Sequence, residues 1–242
     1  MTAVLFTCAG QRVDIVDAFN RAGATTVAAD VNALAPALYR AHHRALVPKV
    51  VDDGYVPALR SLVEQHDVGV IVPLTDLDQV VLAESREALG TLVLLPDTEI
   101  VERLGDKYLA HVLFEERGID SPPTWLPNGV PGDAPFPLLV KARHGFGSRH
   151  IYLARDRAEL TFFLGYTPVD SIVQAQLGGE EFSIDVFCDL DGRCLNAIPR
   201  TMIESKGGES IKGTTIKDPE LIGLGRAVAE ALPLAEIGRA HV

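Results

Sequence analysis

At 242 residues, 47% of them hydrophobic and only 6% aromatic, the chain is long enough for two cores packed mainly from aliphatic side chains. A formal net charge of −11 excludes the electrostatic footprint of a non-specific nucleic-acid binder. No apolar run approaches membrane-span length and Met1 opens no basic leader, so the expectation is a soluble cytoplasmic protein with neither nucleic-acid nor membrane partners.

The first hundred residues alternate apolar runs with helical patterns. Ala3 to Thr7 reads as a buried strand, Gly10 as a tight turn and Val13 to Ala22 as a helix. Strands follow at Thr25 to Ala29 and Arg44 to Val47, then a helix from Val56 to His66 and a strand from Val68 to Val72. Leu77 to Leu89 reads as one helix and Leu92 to Leu95 as a strand. Such alternation with short turns predicts a doubly wound parallel sheet. Gly10, with Asp30 twenty residues on, raises the alternative of an NAD-linked oxidoreductase. The dinucleotide fingerprint needs three glycines at set spacing, however, and the turn from Cys8 to Asp14 supplies one.

Asp97 can cap a short helix from Glu99 to Leu104, and Asp106 the next, Lys107 to Arg117. Lys107 then sits in the first turn, where a cation opposes the helix dipole unless an anion is received there. Gly118 to Gly132 carries Pro122, Pro123, Pro127 and Pro131, a linker composition that places a domain boundary nearby.

Residues 136–181 hold the chemistry. An apolar run from Pro137 ends in Lys141, a loop with Gly145, Gly147 and Ser148 follows, and Ile151 to Leu153 resumes the run. A lysine ending a strand and a glycine loop over the next strand would clamp a polyphosphate. The loop joins strand to strand, so it is not a P-loop, and by itself it is equally a plain hairpin. Ser171 to Gln174 reads as a strand broken by Gln176, Leu177, Gly178 and Gly179, before Glu181 opens the alternation Phe182, Ile184, Val186.

Phe182 to Phe187 and Cys194 to Ile198 form a hairpin about Asp191-Gly192. The cysteines Cys8, Cys188 and Cys194 make no CxxC; Cys188 and Cys194 can face each other across that hairpin and read as ordinary half-buried thiols. The histidines show no ligand spacing, so no metal site is assigned. The segment Arg200 to Thr215, with Lys206 and Lys212, is either a solvated or a substrate loop, and Asp218-Pro219 opens a last helix, Glu220 to Leu232. Five of the six lysines follow residue 100.

The order Lys141, glycine-bearing hairpin, Gln174-Ala175-Gln176-Leu177, Gly178-Gly179-Glu180-Glu181 resembles the ATP-grasp fold of biotin carboxylase, D-alanine–D-alanine ligase and the carbamoyl-phosphate synthetase large subunit. The wording TCAGQRVDIVDAF looks most like carbamoyl-phosphate-synthetase-like members. The resemblance implies an α/β chain: an N-terminal doubly wound parallel sheet as pre-ATP-grasp domain (1–104), then an incomplete α+β ATP-grasp domain (105–236). It implies an ATP-dependent ligase that activates a carboxylate as an acyl phosphate for an amine or thiol, and a homo-oligomer is compatible with it. Lys107, Lys141, Gly145, Gly147 and Ser148 would hold phosphates, Gln174, Ala175, Gln176 and Leu177 would read adenine, and Glu181 would take the ribose. Arg200 and Lys212 are the catalytic candidates. A non-catalytic ATP-binding regulator is the alternative. The resemblance also implies Mg2+, with ligands expected beyond Leu232, where nothing supplies them. The terminal IGRAHV reads as a non-native tail (237–242), so the expectation is a truncated chain that binds nucleotide without ligating.

Overall fold

The computed structural model describes residues 3–145, 147, 149–206, 209–232 and 237–241. Two compact units divide the chain, Met1–Val101 and Glu102–Val242. In the first unit, β1 (Ala3–Thr7), α1 (Val13–Arg21), β2 (Thr25–Asp30), β3 (His43–Leu46), α2 (Tyr55–His66) and β4 (Val68–Pro73) succeed one another. Then come α3 (Gln79–Glu84), α4 (Arg86–Leu89), β5 (Leu92–Val93) and α5 (Thr98–Gly105), which carries the chain across the division. The sheet order is β3-β2-β1-β4-β5 and each adjacent pair is parallel. Both faces are covered: Leu5, Val27 and Ile71 pack with Leu59 and Leu82, while Val4, Phe6, Ala28 and Val72 pack with Val16. This two-sided burial explains the uninterrupted apolar strands.

The expected helix from Leu77 to Leu89 is two helices that meet at Ser85, whose φ of −100° and ψ of 12° leave the helical region. At the break Arg86 turns its guanidinium onto the carbonyls of Leu95 and Pro96, a tertiary contact that no local pattern encodes.

In the second unit, α6 (Lys107–Glu116) is followed by β6 (Thr124–Trp125), β7 (Leu138–Ala142), β8 (Ile151–Ala154), α7 (Arg157–Tyr166) and β9 (Ser171–Ala175). The antiparallel sheet β6-β9-β7-β8 buries Leu138, Val140 and Val173 with Leu160 of α7. The proline- and glycine-rich segment 118–132 therefore lies inside this unit and supplies its edge strand. The rest comprises β10 (Phe182–Cys188), β11 (Cys194–Thr201), β12 (Glu204–Lys206), β13 (Glu209–Lys212), α8 (Pro219–Ala231) and β14 (Ile237–His241). β10 pairs antiparallel with β11 on one side and β14 on the other, which makes 237–241 an edge strand. α8 starts on Asp218, whose carboxylate accepts from Glu220 N and Leu221 N, with Pro219 at its first position. Cys188 and Cys194 are register partners, both buried and both free; burial, then the Cys194 thiol beside it, pushes the Cys188 thiol up to about 11.

Candidate functional site

Strand alternation sorts β7 into two faces. Leu138 and Val140 point into the core, leaving Leu139 and Lys141 on the opposite face with Ile172 and Gln174 of β9. There the Lys141 ammonium donates to Gln174 Oε1 at 2.7 Å, across the diagonal set by the Leu139–Gln174 register. The Gln174 amide nitrogen donates in turn to Thr124 Oγ1 of β6 at 2.9 Å.

The loop leaving β7 is fastened to the start of α6. Asp106 caps that helix with Oδ1, accepting from Tyr108 N at 2.9 Å and Leu109 N at 3.2 Å. Its Oδ2 receives Arg143 Nε at 2.7 Å and the Arg143 terminal nitrogen at 2.6 Å. Burial raises the Asp106 pKa, but Arg143 and the two backbone N–H groups outweigh it and hold the carboxyl below the usual aspartate value. The backbone joins in: Lys107 N donates to Arg143 O at 3.1 Å, and Lys107 Nζ to Gly145 O at 2.8 Å. Gly145 and Gly147 have φ of +103° and +78°, a region in which side-chain-bearing residues are strained.

Asp106→Ala should therefore cost roughly 1–3 kcal/mol, since it deletes a cap and the carboxylate partner of Arg143 together. Asp106→Asn should recover the cap alone and fall between, as read from urea midpoints. Equal losses for the two variants would show that the cap contributes nothing.

Lys107 and Lys141 are brought close enough for like-charge repulsion. Burial, then Lys107, depresses the Lys141 pKa, and the carboxylate of Glu181 opposes both. Two ammonium groups beside a glycine loop suit a polyanion, which would relieve that repulsion. Of the adenine candidates, Gln174 and Ala175 lie within β9, with Ala175 N donating to Pro123 O at 2.9 Å. Gln176 N donates to Pro137 O at 3.3 Å, and Gln176, Leu177 and Glu181 are exposed beyond the strand. Ser148 lies outside the described residues. Arg200 is drawn into an ion pair with Asp185, Nε to Oδ2 at 2.9 Å, and Lys212 is exposed on β13. Among the described residues no group of three His, Cys, Asp or Glu side chains is placed to hold a metal ion, and no helix is long and apolar enough to cross a membrane.

Two features escaped the sequence. Thr124 gave no sign of reaching Gln174, fifty residues on. Asp30, the candidate ribose ligand of a dinucleotide site, is 8% exposed and accepts from Gly10 N at 2.8 Å and Asn32 N at 2.7 Å. One oxygen holds the turn after β1 and the other the turn after β2 itself.

In the first unit, strand order reverses between β1 and β4, and a buried polar group lies just past their ends. Tyr55 donates its hydroxyl to the fully buried Asp78 at 2.6 Å, and the Cys8 thiol is 3.8 Å from that hydroxyl. Burial, then the Asp78 charge, pushes the Cys8 thiol up to about 11.

Two family models match the chain: a PylC-like N-terminal domain over residues 4–94 and an ATP-grasp domain over residues 104–237. No curated protein matches it. Among solved structures, L-amino acid ligase from Bacillus licheniformis is 15% identical with a TM-score of 0.77, over 100% of this chain and 62% of that one. The biotin carboxylase domain of 2-oxoglutarate carboxylase from Hydrogenobacter thermophilus, in complex with MgADP, ADP and bicarbonate, is 17% identical with a TM-score of 0.77, over 98% and 60%. N5-carboxyaminoimidazole synthetase from Staphylococcus aureus is 15% identical with a TM-score of 0.78, over 100% and 65%. At these identities the likeness is one of fold, and the chain spans about six-tenths of each of these three proteins. The ATP-grasp model covers more than half of the sequence, and the chain belongs to the ATP-grasp family.

Proposed function

We propose that the chain is the nucleotide-binding portion of an ATP-dependent ligase acting on a small-molecule carboxylate and an amine or thiol nucleophile. The observation that carries this reading is the pair of lysines about the glycine loop: Lys107 Nζ donates to Gly145 O at 2.8 Å, and Lys141 stands near the end of β7, the strand that leads into that loop. When bound, ATP would supply a γ-phosphoryl group to the carboxylate with release of ADP, and the nucleophile would then attack the acyl carbon and displace phosphate. The protein's part is positioning and charge neutralisation. Lys107 and Lys141 would hold phosphate oxygens, the loop at Gly145 and Gly147 would cover them, and the exposed Gln176-Leu177 segment would meet the adenine edge. Glu181 would accept the ribose hydroxyls. The similar biotin carboxylase domain was solved with MgADP, whereas the described residues here offer no cluster of three His, Cys, Asp or Glu side chains to hold a metal ion. Arg200 and Lys212 stand as candidates for the substrate side.

Glu181→Gln tests the reading. It should weaken ATP binding more than adenine binding in parallel calorimetric titrations, because only ATP carries ribose hydroxyls for the lost carboxylate. Equal weakening of both ligands would leave Glu181 without a ribose role.

A further inference from the structure

We propose that Thr124 and Gln174 act as a positioning relay for Lys141, fixing which end of the Gln174 amide meets the ammonium and so where the ammonium points. The relay rests on Lys141 being a phosphate ligand. Its logic begins at Pro122, whose carbonyl can only accept; the Thr124 hydroxyl, 2.8 Å away, must spend its proton there. Thr124 Oγ1 then has only lone pairs left for Gln174, so the group 2.9 Å from it must be the amide NH2. That choice turns Gln174 Oε1 toward Lys141 Nζ at 2.7 Å. Each bond dictates the next. Reversing the amide would set donor against donor at Lys141 and acceptor against acceptor at Thr124. The outer member is well protected, since Thr124 is 4% exposed and is the register partner of Gln174 between β6 and β9.

A neutral oxygen suits this task better than a carboxylate. It restrains an ammonium without cancelling the charge that a phosphate would need. Around Lys141 the charged groups are Lys107 from α6, which opposes protonation, and Glu181 ahead of β10, which favours it. Gln174 supports the protonated form from β9 as an acceptor, alongside Glu181 and against burial and Lys107.

The test is trace acylation of the folded chain with acetic anhydride across a pH series, with Lys141 modification followed by mass spectrometry. Losing the acceptor in Gln174→Leu should favour the neutral, reactive amine, so Lys141 acylates more readily near neutral pH than in the parent. Gln174→Glu should do the reverse, since a carboxylate holds the proton on. A purely structural role would not move the two variants in opposite directions. Thr124→Val should follow Gln174→Leu, and Thr124→Ser should match the parent. In calorimetry, Gln174→Leu and Thr124→Val should bind ATP roughly tenfold more weakly. Unchanged profiles in both Gln174 variants would overturn the relay, and a Thr124→Val profile equal to that of Thr124→Ser would overturn its outer half. Lys141→Ala separates the two layers: unchanged ATP affinity there refutes the phosphate-ligand reading, whereas a loss there with full affinity in Gln174→Leu refutes the relay alone.

Discussion

Replacing Lys141 by alanine is expected to weaken ATP binding by roughly ten- to a hundredfold while the melting temperature holds or rises slightly. The loss follows from removing one charge-assisted hydrogen bond to phosphate, worth about 1.5–3 kcal/mol. The fold should tolerate the change for a reason visible around the side chain. Burial and then Lys107 already disfavour the Lys141 charge, with only Glu181 and the Gln174 oxygen in its support. Taking the ammonium away relieves repulsion and leaves the core face of β7, Leu138 and Val140, untouched. Calorimetry beside a thermal melt decides it. A well-folded variant with parental affinity would remove Lys141 from the site.

The second large effect is one of packing. Gly225 lies on the face of α8 that meets β10 and β11, one turn from Ala229. A Cβ at Gly225 would come within 2.6 Å of Ile184 Cγ2 and 3.4 Å of the Ala197 Cβ, and Ile184 is fully buried. Gly225→Ala gains up to about 1 kcal/mol of helix propensity but incurs about 1–3 kcal/mol of overpacking, so a net loss is expected. Gly223, two residues earlier on the same helix, has nothing within 4 Å of its would-be Cβ. Gly223→Ala should keep the propensity gain. The same substitution at two neighbouring positions should thus move the urea midpoint in opposite directions; a gain at both would mean that Ile184 repacks freely.

The sequence showed what local chemistry encodes. The strands of the first unit announced themselves because both faces of that sheet are buried, and Asp106 and Asp218 could be read as caps from their immediate context. Segment 118–132 misled because a linker and an edge strand share a composition. Proline lacks the N–H that an inner strand must donate, so both environments accept it, and here Pro122 and Pro123 run into β6. The break at Ser85 and the Thr124–Gln174 bond depend on partners distant in the chain and left no periodic trace. Of the candidate site, the order of motifs reached Lys107, Lys141 and Glu181 singly; that they lie near one another is a product of folding. Nothing local foretold that the Gln174 side chain would be engaged at both ends.

Asp78 and Asp106 give acid opposite meanings in the two units. Burial raises the Asp78 pKa more than the Tyr55 hydroxyl pulls it back, so its folded value stands above the unfolded one. Its contribution to stability is complete below an unfolded value of about 3.9 and is lost as pH climbs through the folded value. Asp106 has the reverse sign: its contribution is present above about 3.9 and is lost as pH falls through its depressed folded value. Mild acid therefore relieves the polar cluster past the ends of β1 and β4 while the Asp106–Arg143 fastening is still intact. Stronger acid unfastens that latch, freeing the start of α6 from the loop after β7, at a pH where the first unit has shed its own electrostatic burden.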